Sequence, residues 1–262
     1  VSNLTQTGTI NPTKVSFIGH SLGGITGTTA VAMANTPVQS ATLSAEQKAA
    51  IDGLFGIDTA TLAMPGGAIA NFLLDSASFG PLIRASVILG SETLQTGFVG
   101  YIQTNGTACL PLAAEPQSFA GCASQFVDAY ISSLGESATY NAIANTFAQF
   151  SFAAQTVIDS GDPNNYAQHM VTTETPTYVI AVVGDGVENL PDQVIPNGFT
   201  NPVQALMAEK MPLAGTLPLA RLLGAQRLNN VAGGYALDGA NVLSGFSAGN
   251  HSSILSPAGG AA

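Results

Sequence analysis

The chain has 262 residues, of which 46% are hydrophobic and only 8% charged, and its formal net charge is −10. At about 150 residues per domain this is one large domain or two small ones, with ample apolar material for a core. Six Lys and Arg against sixteen Asp and Glu exclude a nucleic-acid binder, which needs a basic face against phosphates.

Val1 opens a polar stretch rather than the basic-then-apolar run of a secretory leader. Residues 14–18 read as a short strand that Gly19 ends, and residues 22–35, small and apolar, as a buried helix closed by Pro37. Residues 43–54 have helical character, with Ser44 a candidate N-cap ahead of Gln47. Residues 59–64 are a second strand, stopped by Pro65-Gly66-Gly67. From 75 to about 134 the pattern loosens, and short helices are expected. Cys109 and Cys122 lie in this stretch; they read as a local disulfide, the alternative being two free buried thiols.

Tyr140, Ile143, Phe147, Phe150, Ala154 and Val157 then mark one face of a long helix, expected to pack in the core rather than touch a membrane. The uncharged stretches 93–114 and 137–158 carry too many Gln and Asn residues to read as membrane spans. The acidic stretch 159–165 lacks calcium-loop spacing and reads as a solvated turn. Residues 177–183 form the clearest strand, apolar enough to be buried on both sheet faces. Helices at 201–211 and 217–223 and a last strand within 234–246 complete the pattern. Strands alternating with helices predict an α/β fold with a mostly parallel sheet flanked by helices.

The chemistry concentrates in Gly19-His20-Ser21-Leu22-Gly23-Gly24, a G-x-S-x-G between a predicted strand and a predicted helix. That context is the nucleophile elbow, a strained turn that exposes the serine Oγ. Gly19 and Gly23 are expected to make room for the turn. Leu22 N–H, at the helix start, is placed to be one oxyanion donor. A nucleophilic serine needs a base and an orienting acid, here in the order Ser, acid, His. His251 follows the last strand and is the expected base. His20 should point away from the base position and bond locally; His169 reads as a solvated loop residue. For the acid, Asp192 is favoured over Asp185, with Asp238 third. No Cys or His has a neighbour at zinc spacing, so no metal and no cofactor are expected.

Several strings, beyond the elbow, carry a family resemblance. They are Ala63-Met64-Pro65-Gly66-Gly67, Gly184-Asp185-Gly186, Asn189-Leu190-Pro191-Asp192-Gln193-Val194-Ile195-Pro196-Asn197, Pro212-Leu213-Ala214-Gly215-Thr216, and His251-Ser252-Ser253 followed by Leu255-Ser256-Pro257. Together they resemble the extracellular lipase, phospholipase A1 and lysophospholipase group of Gram-negative bacteria, over most of the chain. The resemblance implies an α/β-hydrolase fold, a lipid-ester substrate and a secreted or cell-surface address. It implies Ser21 as nucleophile, His251 as base and the acid between 185 and 192.

An α/β-hydrolase has several strands before its elbow, and the loop after the third supplies a second oxyanion N–H. Only one strand precedes Ser21, so the N-terminal strands are expected to be missing, with the missing segment a potential partner at the open sheet edge. The expected organisation is a hydrolase core over 1–74, a cap insertion over 75–137 and the rest of the core over 138–262. The cap is either a lid that meets a lipid interface or an ordinary helical insertion. The alternatives to a lipid esterase are a short-chain esterase or other serine acyl hydrolase, and a non-catalytic hydrolase-like fragment.

Overall fold

The computed structural model describes residues 11, 14–198, 211–228 and 241–256. Five strands, β1 (Ser16–His20), β2 (Thr59–Ala63), β3 (Thr177–Val182), β4 (Gln226–Arg227) and β5 (Val242–Phe246), form one sheet of order β1-β2-β3-β5-β4. Every pairing is parallel. The helices between them are α1 (Leu22–Asn35), α2 (Ala45–Phe55), α3 (Ile69–Asp75), α4 (Gly80–Leu89), α5 (Glu92–Asn105), α6 (Pro116–Ser133), α7 (Ala138–Ile158), α8 (Asn164–Thr172) and α9 (Thr216–Leu222). A parallel sheet with helical crossovers, in which β1 runs through a serine turn into α1, is the α/β-hydrolase fold.

Local chemistry explains several boundaries. Ser44 caps α2 in a full capping box: its side chain accepts from Gln47 N–H, and Gln47 returns a bond to Ser44 N–H. β1 runs on through Gly19 to His20, two residues further than its apolar run. All but Met211 of the expected helix over 201–211 lies outside the described residues, as do Asp238 and the first part of the 234–246 stretch.

One face of the sheet is sealed. Ala60, Leu62, Val179, Ala181 and Leu243 pack with Val31 and Ala32 of α1, Ala167 and Met170 of α8, and Leu219 and Ala220 of α9. The other face is more open: Tyr178 and Ile180 are half-buried, and Ile18 on β1 is 71% exposed. β3 is therefore not sealed on both faces as its sequence suggests.

A second core lies among the helices. Phe72 and Leu74 of α3, Ala85 and Ile88 of α4, Phe98 and Ile102 of α5, Val127 and Tyr130 of α6, and Ile143 and Phe147 of α7 form one cluster. The cap helices are not short: α5 has 14 residues and α6 has 18. Cys109 and Cys122 are disulfide-bonded and tie the 3-10 turn Thr107–Leu112 to α6. Across the same layer Arg84 pairs with both carboxylate oxygens of Asp128 at 3.0 and 2.9 Å, and donates to Leu74 O. The boundary drawn at residue 137 falls inside this helical layer, because α7 shares its core.

The apolar stripe of α7 turns away from the core halfway along. Ile143, Phe147 and Ser151 are buried, whereas Val157 is 80% exposed. The reason is the N-terminus of α3, whose first N–H groups lack helical acceptors. Gln155 accepts from Ala70 N–H at 3.1 Å, and Asp162 accepts from Ala68 and Ile69 N–H at 3.1 and 2.9 Å. Polar groups are needed on that side, so Phe150 and Val157 face outward. Asp162 is 1% exposed, so it is a buried cap and not part of a solvated turn.

Candidate active site

Ser21 stands between β1 and α1 with φ 55° and ψ −123°. L-residues rarely adopt that backbone, at a cost of about 1–3 kcal/mol. The surroundings hold it there. Ser21 N–H donates to Ala63 O at 2.9 Å, and Ser21 O accepts from Gly24 and Ile25 N–H at 2.8 and 3.0 Å. A Cβ at Gly19 would overlap the Gly23 carbonyl, so Gly19 is required. A Cβ at Gly23 would meet nothing within 4 Å, which corrects the expectation that both flanking glycines make room. The close approach falls one residue later: a Cβ at Gly24 would lie 3.2 Å from Pro65 Cβ. The N–H groups of Leu22 and Gly23 open α1 with no preceding helical carbonyl, at the positive end of its dipole.

The loop after β3 carries both candidate acids, and they do different things. Asp192 is 4% exposed. Its N–H donates to Val182 O at 2.9 Å, and its Oδ1 accepts from Val194 and Ile195 N–H at 2.8 and 3.2 Å. Its Oδ2 lies 2.6 Å from His251 Nδ1. Asp185 instead closes its own turn. One oxygen accepts from Val187, Glu188 and Asn189 N–H at 2.9, 3.0 and 2.9 Å, and the other from Asn189 Nδ2 at 2.6 Å. Those donors, Val187 N–H first among them, hold its carboxyl well below the usual carboxylate range. Asp185 does not meet His251. Buried Asn197, which sequence reasoning missed, donates to the same Val182 carbonyl that receives Asp192 N–H.

His251 follows β5 on a turn shaped by Gly249 at φ 119°. Asn250 N–H donates to Ser253 Oγ at 2.8 Å, and Ser252 N–H to Asn250 Oδ1 at 2.9 Å. A carboxylate facing Nδ1 fixes the proton there and leaves the Nε2 lone pair available. Nε2 is buried and has no hydrogen-bond partner, so no bond to Ser21 Oγ is formed. A cavity of about 510 Å³ lies against His251, walled by the acid loop on either side of Asp192 and by Gly249, Asn250 and Ser252.

His20 is not engaged locally, as its position in the elbow suggests. Its Nε2 lies 2.6 Å from the main-chain carbonyl of His251, 231 residues away in the chain. The two rings stand 4.9 Å apart, centre to centre. His169 lies on α8, beside Tyr166, and not on a loop. Among the described residues no group of three or more His, Cys, Asp or Glu could hold a metal ion.

Ser21, Asp192 and His251 thus follow the carboxyl ends of β1, β3 and β5, where open parallel sheets carry their sites. The class is that of the α/β serine hydrolases. Residues 1–66 match the family model described as "Putative serine esterase (DUF676)", a span that holds β1, the elbow, α1, α2 and β2. The chain is similar to that family over this segment, which supports an esterase- or lipase-like hydrolase. No curated protein and no solved structure matches the chain.

Proposed function

We propose that the protein hydrolyses carboxylic esters of lipids through an acyl-enzyme on Ser21. One observation carries the reading: a 2.6 Å bond from Asp192 Oδ2 to His251 Nδ1, beside a serine held in a strained elbow. Ser21 Oγ attacks the ester carbonyl carbon while His251 Nε2 takes the hydroxyl proton. The developing oxyanion accepts from Leu22 N–H. Collapse breaks the ester C–O bond, and His251 returns its proton to the departing alcohol. Water then attacks the acyl-enzyme with His251 again as base, freeing the fatty acid and Ser21. Asp192 keeps the imidazole in the required tautomer and stabilises its protonated form.

The lipid part rests on the cap. A mostly apolar groove of about 780 Å³ runs between α4 and α7, lined by Leu82, Ile83, Val87 and Phe150 among others. Elsewhere on α7, Phe152 is 78% exposed. The net charge of −10 opposes anionic surfaces, so contact with lipid comes from apolar burial on neutral or zwitterionic interfaces. The disulfide fits a secreted or cell-surface address. These features, with the sequence strings quoted above, support the analogy with the extracellular lipase and phospholipase group.

A fluorophosphonate that labels Ser21, with loss of label in His251→Ala, is the expected result. A chain-length series of chromogenic esters should then favour long acyl chains. Full esterase activity in Ser21→Ala overturns the proposal, and a preference for the shortest esters overturns its lipid part.

A further inference from the structure

The histidine loop and the elbow come from opposite ends of the chain. Among the described residues one hydrogen bond joins them, from His20 Nε2 to the main-chain carbonyl of His251 at 2.6 Å. We infer that His20 is a positioning residue, which sets the distance between the His251 imidazole and Ser21 Oγ. The inference rests on the catalytic roles proposed above for Ser21 and His251.

A general base on a loop must be fixed at two points, or its ring swings about the Cα–Cβ bond. Asp192 fixes the ring end, through Nδ1. The turn around Asn250 and Ser253 shapes the loop but ties it only to itself. The main chain of His251 needs an anchor on the element that carries the nucleophile, and His20 supplies it. Its position is dictated by the elbow: His20 is the last residue of β1, held by the sheet, and Ser21 follows it directly. Any displacement of His20 moves the serine and the base together, so their spacing is kept. The tilted ring contact at 4.9 Å gives the imidazole of His251 a wall on that side.

The arrangement also defines what His20 does not do. A carbonyl only accepts hydrogen bonds, so Nε2 of His20 carries a proton and is committed to it. His20 is not a second base through that nitrogen. The function needs a donor at this place more than it needs a titratable ring. Glutamine reaches about as far as Nε2 of histidine and presents an N–H; phenylalanine keeps the ring and has no donor. The pair separates the hydrogen bond from the packing.

The test compares His20→Phe and His20→Gln with the parent chain. The measurements are the rate of fluorophosphonate labelling at Ser21, kcat and KM on a chromogenic ester, and thermal melting. A misplaced reacting pair costs about 10²-fold, so His20→Phe is expected to lose about that in labelling rate and kcat, with KM unchanged. His20→Gln should stay within about threefold of the parent. A second readout does not depend on turnover: the low-field proton resonance of His251 Nδ1 should persist in the parent and in His20→Gln and broaden by exchange in His20→Phe. Labelling of His20→Phe at the parent rate, with its resonance intact, overturns the inference. Equal loss in both variants, tracking a lowered melting temperature, also overturns it and makes His20 a packing residue. Label that survives Ser21→Ala overturns the catalytic reading itself, an outcome distinct from either.

Discussion

The sheet side of the molecule and its helical cap hold themselves together by different means. On the sheet side two carboxylates, Asp185 and Asp192, accept mainly from backbone N–H groups. In the cap the ties run from side chain to side chain: Arg84 on Asp128, and Cys109 on Cys122. Backbone donors fix a carboxylate without a countercharge. That leaves His251 as the only ionisable partner bonded to Asp192 among the described residues, the arrangement an orienting acid requires. Helix-to-helix ties fix the spacing of elements and leave the site chemistry alone. Substitutions on the sheet side should therefore act on turnover, and substitutions in the cap on stability.

The sharpest test is Asp192→Asn, which keeps the side-chain shape and reverses what His251 can hold. Turnover should fall by about 10⁴-fold with little change in melting temperature. A fall of less than tenfold would remove the distinction between Asp192 and its neighbours.

Asp75 offers the largest effect on stability. It is buried in the helical layer, and burial pushes its carboxyl up to about 7 against the opposing pull of Arg84. The folded state then binds more protons than the unfolded state between the ordinary carboxylate range and neutrality. Stability from this group is complete below about pH 4 and is lost as pH rises through 7, by an amount of the order of 4 kcal/mol. In urea titrations at pH 5 and pH 8, Asp75→Asn should lose most of that dependence while Ser21 labelling persists. An unchanged slope would place the titration elsewhere.

Cys122→Ser opens a loop whose ends are 13 residues apart. A closed loop of that size contributes about 3 kcal/mol, which calorimetry should register as a lower melting temperature with Ser21 labelling preserved. If labelling falls in step with melting, cap and site are not separable in this way.

Asp185→Asn is the mildest change. Asp185 is exposed, and its ionised form is the one its turn favours. Its contribution is present at neutral pH and lost as pH falls through the acid range. The variant should keep kcat within a few-fold of the parent. A loss approaching that of Asp192→Asn would give Asp185 a part in the chemistry.

Much of the sheet side was legible in the sequence, because its signals are local. A strand, Gly19, Ser21 and a small-residue helix follow one another within a few positions, and β3 is a continuous apolar run. The choice between Asp192 and Asp185 was less legible. Both begin tight turns and both accept N–H groups from residues just ahead; only the fold decides which oxygen meets His251. The partner of His20 had no local signal at all. The cap was harder for a different reason. Its helices meet through small residues: a Cβ at Gly97 would stand 2.6 Å from Tyr130 Oη. A helix that needs glycine at a contact loses its hydrophobic period, and α5 reads as loose sequence. In α7 the period was present and misleading, because the free N–H groups of α3 call for Gln155 on the side where a continued stripe of apolar residues predicts Val157.

The core of the cap does not stop at the cap. It includes Ile25, four residues beyond the nucleophile, and Ile195, three beyond Asp192. Ser78 N–H and Ser76 Oγ both donate to the carbonyl of Gln193, the residue after the acid. The helical layer is therefore not a module that can be excised or exchanged between hydrolases at its termini. A graft that omitted Ile25 and Ile195 would leave the acid loop without its footing. Chimeras of this protein have to be cut inside the catalytic loops, with those two isoleucines travelling with the cap.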